Sequence, residues 1–178
     1  WDGSSWTEVG DVNTAREGSN NWGTYTSAVS AGGIDASGGT IDNVESWNGS
    51  SWTEIVELNV GRRRAGTSGP DNTSGLFFGG DSPAPAKVAT TEHFDGSSWT
   101  EVADMSEARA MEASAGHDAG SSLAIAGTSN AGPDVASCEE FTIAPPTSAI
   151  QTEGDLFLSA GTTLKGVVKA SSPSTIWS

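Results

Sequence analysis

Apolar residues in this chain come in short bursts rather than long stripes. The runs "SAVSA" (27–31), "GLFF" (75–78) and "LAI" (123–125) each close on a pair of small residues, Gly32-Gly33, Gly79-Gly80 and Ala126-Gly127. Runs this short do not fit paired helices and read as strands bounded by turns. In the middle of the chain the pattern predicts four strands: "RRAGTSG" (63–69), "SGLFFGG" (74–80), "KVATTEHF" (87–94) and "SSWTEVA" (97–103). The Asp95-Gly96 pair between the last two accepts φ > 0 and favours a tight hairpin, which folds Phe94 back toward Trp99. The paired glycines give the backbone conformations closed to other residues and let neighbouring strands approach.

The same spelling recurs. "WDGSSWTE" (1–8) returns as "WNGSSWTE" (47–54) and "FDGSSWTE" (94–101), 46 or 47 residues apart. Other positions fall into phase with it: Trp6, Trp52 and Trp99; Glu8, Glu54 and Glu101; Arg16, Arg63 and Arg109; and the aromatics Trp47, Phe94 and Phe141 that restart each unit. A period of about 40–50 residues points to solenoids, propellers and similar arrays. The predicted fold is all-β, with about three four-stranded blades in residues 1–143 (repeats near 1–46, 47–93 and 94–141) and a separate segment, 144–178.

An apolar run ending in Gly-Gly, an aromatic, a Trp five residues beyond and an Arg before the next unit resemble the kelch motif. In that family each repeat forms one four-stranded blade of a β-propeller. The resemblance spans residues 1–141, about four fifths of the chain; unit one has no large apolar residue just before its glycines, and unit three carries Ala126-Gly127. The phase of the units predicts that the chain opens at the hairpin before a fourth strand, and that Phe141 closes a third strand. Two whole blades lie between. Closed propellers have roughly four to eight blades, and an open arc leaves strand edges bare. The expectation is therefore that the blades belong to a longer polypeptide, or complete a ring or stack with other chains.

After "APPT" (144–147), whose prolines break the pattern, "DLFLS" (155–159), a turn at Ala160-Gly161 and "TLKGVVKA" (163–170) read as a hairpin. This tail, like the Ser/Thr/Gly-rich repeats, resembles kelch-like virion proteins of tailed bacteriophages, especially marine ones.

Composition supports strands over helices. Hydrophobic residues are 35% of the 178, with 23 Gly, while seven Trp and five Phe at regular positions argue against disorder. The net charge of −15 repels nucleic-acid phosphates and anionic lipid. No run of about 18 apolar residues predicts a membrane helix. The opening "WDGSSW" lacks the basic and apolar regions of a signal peptide. Cys138 stands alone, so the chain contains no disulfide, and it reads as a small, partly buried strand residue.

Candidate chemistry is sparse. The arginines Arg16, Arg63 and Arg109 are similar to the carboxylate-binding cluster of a sialidase propeller, but no Asp-box accompanies them and Tyr25 is the only tyrosine. They read instead as loop residues bonding local carbonyls or carboxylates. One Tyr, two His (His93, His117) and one Cys do not make the ligand set of a copper radical oxidase or a zinc site. Asp35, Asp81 and Asp134 read as solvated loop carboxylates rather than a calcium loop. The sequons at Asn48 and Asn72 carry no assigned role. The stretches that differ most between units are Gly69, Pro70, Asp71, Asn72 and Thr73, and the segment holding Asp81, Ser82, Pro83 and Lys87; these are the candidate contact loops. The expected function is a non-enzymatic structural or recognition module of a virion protein (fibre, appendage or tail component), with no cofactor and no metal. Its partners would be other copies, other virion subunits, or a host-surface glycan or protein, not nucleic acid or membrane. A bacterial surface adhesin and one segment of a glycan-active propeller enzyme are the alternatives.

Overall fold

The computed structural model describes residues 3–83, 86–110, 113–132 and 134–143, together with the backbone of three later strands. The chain divides into two units, Trp1–Thr142 and Ile143–Ser178. Among the described residues every regular element is a strand.

The first unit is built from three propeller-like blades that do not close into a ring. The first repeat contributes β1 (Arg16–Glu17), β2 (Asn20–Thr24), β3 (Ser27–Ala31), β4 (Ile34–Asp35), β5 (Val44–Trp47) and β6 (Trp52–Ile55). The order β2-β3-β5-β6 makes one four-stranded antiparallel sheet, and β1 pairs with β4 at its end. The second repeat contributes β7 (Gly66–Asp71), β8 (Ser74–Phe78), β9 (Thr91–Phe94) and β10 (Trp99–Val102), in sequential order. The third contributes β11 (Arg109–Ala110), β12 (Ala113–Asp118), β13 (Ser121–Ile125), β14 (Thr128–Ser129) and β15 (Cys138–Thr142). Its sheet has three strands, β12-β13-β15, with β11 pairing β14.

The repeated "DGSS" spelling is turn chemistry. Gly96 takes φ +93° and Gly49 φ +94°. The Asp95 carboxylate accepts the N–H groups of Ser97 and Ser98 at 2.9 and 2.8 Å, and Asn48 accepts those of Ser50 and Ser51 at 3.0 Å each. These bonds satisfy donors that the hairpin leaves without a ladder partner. The strands leave the turn with Phe94 opposite Trp99 and Trp47 opposite Trp52. The ring centroids are 5.0 and 5.4 Å apart.

Two apolar clusters join the blades. Trp22, Val29 and Val44 pack with Leu58, Phe77, Phe94 and Trp99. Leu76 and Phe78 pack with Ala119 and Ala124, flanked by Val102, Met105 and Phe141. Trp22 meets Phe94 and Trp99 edge-on at 6.5 and 6.0 Å.

The glycine pairs follow the same logic three times. Gly32 and Gly33 have φ of +63° and +110°, and Gly79 and Gly80 have +65° and +98°. A Cβ on Gly32 would stand 2.1 Å from the Arg62 carbonyl oxygen of the next blade. Ala126 takes the equivalent conformation (φ +57°) with its methyl in place.

Three expectations are corrected. Residues 4–9 form no strand, and Trp6 is 87% exposed, because the sheet that this strand would complete is not among the described residues. Cys138 is exposed rather than partly buried. Its counterparts Val44 and Thr91 are covered by a following blade, and the third blade has none among the described residues. Gly69, Pro70 and Asp71 belong to β7 rather than to a loop.

In the second unit β16 (Leu156–Ser159) pairs with β17 (Thr163–Lys169), and β17 with β18 (Thr175–Trp177), giving three antiparallel strands. The first pair is the hairpin expected from the sequence; its Ala160-Gly161 turn and the preceding "APPT" lie outside the described residues.

Candidate functional site

Each blade is pinned by one buried arginine, and the three sets of bonds superimpose in sequence. Arg16 Nη1 donates to the carbonyls of Gly32 (3.2 Å) and Asn43 (2.8 Å). Arg62 Nη1 donates to those of Gly79 (3.1 Å) and Thr90 (2.7 Å). Arg109 Nη1 donates to those of Ala126 (3.2 Å) and Ser137 (2.8 Å). The other nitrogen of each guanidinium pairs with a glutamate: Arg16 with Glu45, Arg62 with Glu92, Arg109 with Glu139. Each glutamate in turn accepts a backbone N–H from the loop that enters the blade: Asn13 at 2.7 Å, Asn59 at 3.1 Å and Ser106 at 2.6 Å. One station therefore ties the small-residue pair, the third strand and the incoming loop of its blade together.

The second station is Arg62, not Arg63. Arg62 has a fully buried side chain, whereas Arg63 is 31% exposed and reaches Asp81 at 3.5 Å. Among the three arginines spelled in a row, the one 46 residues after Arg16 and 47 before Arg109 takes the interior place. Arg63 lies one residue further on and joins the bridge to Asp81. All three interior arginines have side chains at most 2% exposed, with their terminal nitrogens committed to their own blade. A cluster for binding a ligand carboxylate needs open guanidinium groups, and these are closed.

The electrostatics follow from the geometry. Burial alone would raise the Glu45 carboxyl; the N–H groups of Asn13 and Thr14 and the Arg16 charge outweigh it and hold the group below its ordinary value. Glu139 is lowered by the same balance, burial being opposed by Ser106 and Arg109. Burial pushes the Arg62 guanidinium down, and the Glu92 charge offsets part of that. Hydrogen bonds from the Ser97 and Ser98 backbone hold Asp95 well below the usual carboxylate range.

The two candidate contact loops differ. Asn72 donates to Ser46 Oγ (2.9 Å) and the Trp47 carbonyl (3.1 Å) and accepts from Ser27 Oγ (2.8 Å). A Cβ on Gly69 would lie 2.2 Å from Trp22. This β7–β8 turn is a joint against the first blade, and only Thr73 in it is exposed. Asp81 pairs with Arg63 and Arg64, and the Lys87 backbone exchanges bonds with the Asn130 side chain (2.9 Å each way). Ser82 bonds Ala86 across the loop, and Pro83 and Ala86 lie exposed at its tip.

Trp22 was not found by periodicity. Its indole donates to the carbonyls of Asp71 (2.9 Å) and Ser74 (3.1 Å), yet its in-phase positions carry Ser68 and Ala115. His93 is half-buried on β9 and His117 is exposed on β12. Among the described residues no group of three or more His, Cys, Asp or Glu side chains is placed to hold a metal ion. Tyr25 is 91% exposed.

These features define a propeller-like blade array. No known family profile matches the chain, and no curated protein does. Among solved structures it is similar to "Structure of YjhT", with a TM-score of 0.62 at 16% identity over 74% of this chain and 44% of that one. The likeness is one of fold, and the chain spans less than half the length of that neighbour.

Proposed function

We propose that this chain is a non-enzymatic structural or recognition module of a phage virion protein, a fibre, appendage or tail component. Its blades hold loop tips against a neighbouring virion subunit or a host-surface sugar or protein. One observation carries the reading. The arginines that recur once per blade, with their glutamate partners, are spent inside the blades, so chemistry that varies from blade to blade is left to the exposed tips, such as the one at Pro83 and Ala86. Rigid scaffolds with variable loops are a common way to build binding surfaces, and the fold by itself dictates no activity. The resemblance of the repeats and tail to kelch-like virion proteins supports the phage assignment.

Immunogold labelling of purified particles with antibody against this chain tests the location, with decoration of one virion component expected. Labelling of bacterial surfaces without particles would favour the adhesin. Turnover of host polysaccharide by the full-length protein would overturn the non-enzymatic reading.

A further inference from the structure

The third blade holds an open cleft where the first two blades hold a tryptophan. In the second blade, Trp99 on the fourth strand packs with Phe94, Phe77 and Leu58, and its indole donates to the Val56 carbonyl at 3.1 Å. One repeat further on, those positions are Phe141, Ala124, Met105 and Ala103. All four line one open cleft. The residue that would fill it belongs on a fourth strand beside β15, and no described strand pairs with that edge of β15. An edge of this kind is a template for pairing with another chain.

The chain carries the matching strand at its other end. Residues 4–9, "SSWTEV", repeat residues 97–102 letter for letter. They lie outside any strand, with Trp6 87% and Val9 65% exposed. We propose that residues 6–9 of a second copy of this chain complete the third blade, two copies exchanging strands at two joints. This deepens the module reading and rests on it, in that the blades act as an assembly part.

The register is set by the two intact blades. Trp52 faces Trp47 and Ile55 faces Val44; Trp99 faces Phe94 and Val102 faces Thr91. The same rule puts Trp6 of one copy opposite Phe141 of the other and Val9 opposite Cys138. The Trp6 indole enters the cleft and donates to the Ala103 carbonyl, as Trp52 donates to Gly10 (3.1 Å) and Trp99 to Val56. Three blades from each of two copies give six, within the roughly four to eight of closed propellers.

Ala126 is the misfit. Its methyl stands where a Cβ on Gly32 would meet the Arg62 carbonyl at 2.1 Å, and in the exchanged joint the Arg16 carbonyl of the other copy takes that place. The joint between copies is accordingly wider than the joints within a chain, and the dimer is reversible.

Sedimentation of the 178-residue chain over a concentration series reads the association. A dimer that dissociates on dilution is expected, weakened at least about tenfold by Trp6→Ala and tightened by Ala126→Gly. The native thiol reports the register. Directly opposed antiparallel residues lie about 4.5–5.5 Å apart, within disulfide range. Val9→Cys should therefore oxidise onto Cys138 of a second chain and double the 18.1 kDa mass, whereas Glu8→Cys, which projects to the opposite face, should not. Mixing Val9→Cys/Cys138→Ser with the unaltered chain should give a cross-linked heterodimer. A monomer at every concentration, a bridge closed within one chain, or equal cross-linking at position 8 would overturn the exchange. A monomer that still labels virions would sink this inference alone; a strand-exchanged dimer absent from particles would sink only the virion assignment.

Discussion

Replacing Arg62 and Arg63 separately by Ala sets the buried station against its exposed neighbour in one chain. Arg62→Ala removes three hydrogen bonds from the guanidinium to neutral acceptors, the Gly79 and Thr90 carbonyls and Thr90 Oγ1, together with the ion pair to Glu92. It also removes a guanidinium 4.8 Å from the centre of the Phe77 ring. The Glu92 side chain is 4% exposed and keeps its Asn59 donors. Stranding one member of a buried pair costs about 3–5 kcal/mol. Arg63→Ala breaks a 3.5 Å contact to Asp81 from a side chain 31% exposed, and Arg64 remains on the same carboxylate; such pairs contribute about 0–1 kcal/mol. Urea unfolding followed by tryptophan fluorescence reads the difference, since Trp22 and Trp99 are buried in the joint beside this station. The expected gap is about 3 kcal/mol or more, and Arg62→Met with Glu92→Leu should recover much of it, because paired apolar replacements of a buried ion pair are often neutral. Equal losses for the two single variants would refute the assignment of Arg62 as the in-phase residue.

Asn72→Ala removes three side-chain bonds that tie the β7–β8 turn to the first blade; a loss of about 1–3 kcal/mol is expected by the same unfolding assay. The Glu45 and Glu139 carboxyls are held below their ordinary value near 4.5. Groups lowered in the folded state contribute stability that is complete above the unfolded pKa and is lost as pH falls through the folded one. The urea midpoint should therefore change little on their account between pH 7 and 5 and fall once pH drops below about 4.5; a fall confined to higher pH would contradict this. A Cβ on Gly75 would stand 2.4–2.6 Å from atoms of the Trp22 indole. Gly75→Ala should cost about 1–3 kcal/mol as overpacking, and a double-mutant cycle with Trp22→Phe should show coupling between the two sites.

What the sequence revealed is what repeats. The period, the hairpin turns and the strand order of the second blade all rest on residues that recur in phase, and each appears where the spacing puts it. Two kinds of feature stayed hidden. Where like residues adjoin, as in Arg62-Arg63-Arg64, a tolerance of one residue in the period selects the wrong side chain, although alternation on a strand sends neighbours to opposite faces. Where a residue occurs once, periodicity is blind to it: Trp22 lies in the joint between the first two blades, and Gly75 across from it, in the place of Ala28 and Ser122, records its presence. The β7–β8 stretch, singled out by its variation, is of this second kind. Pro70 to Asn72 differ from unit to unit, while Gly69 recurs as Gly23 and Gly116, and Asn72 ties this turn to the first blade.

That uniqueness orders the blades. Identical strands would let any blade follow any other, and a repeat array needs some feature that penalises the wrong neighbour. Trp22 supplies it. The blade after the first must present glycine where the indole lands, and the second does so at Gly69 and Gly75, while the first blade carries Ala28 at the position of Gly75. A first blade therefore cannot follow a first blade without a clash. The third blade has Ala115 in the place of Trp22, so the residue it turns toward its successor is small and tolerates Ala28. By side-chain size at this position, the first blade of another copy is an admissible successor to the third blade and an inadmissible successor to the first, which is the pairing that strand exchange between two copies requires.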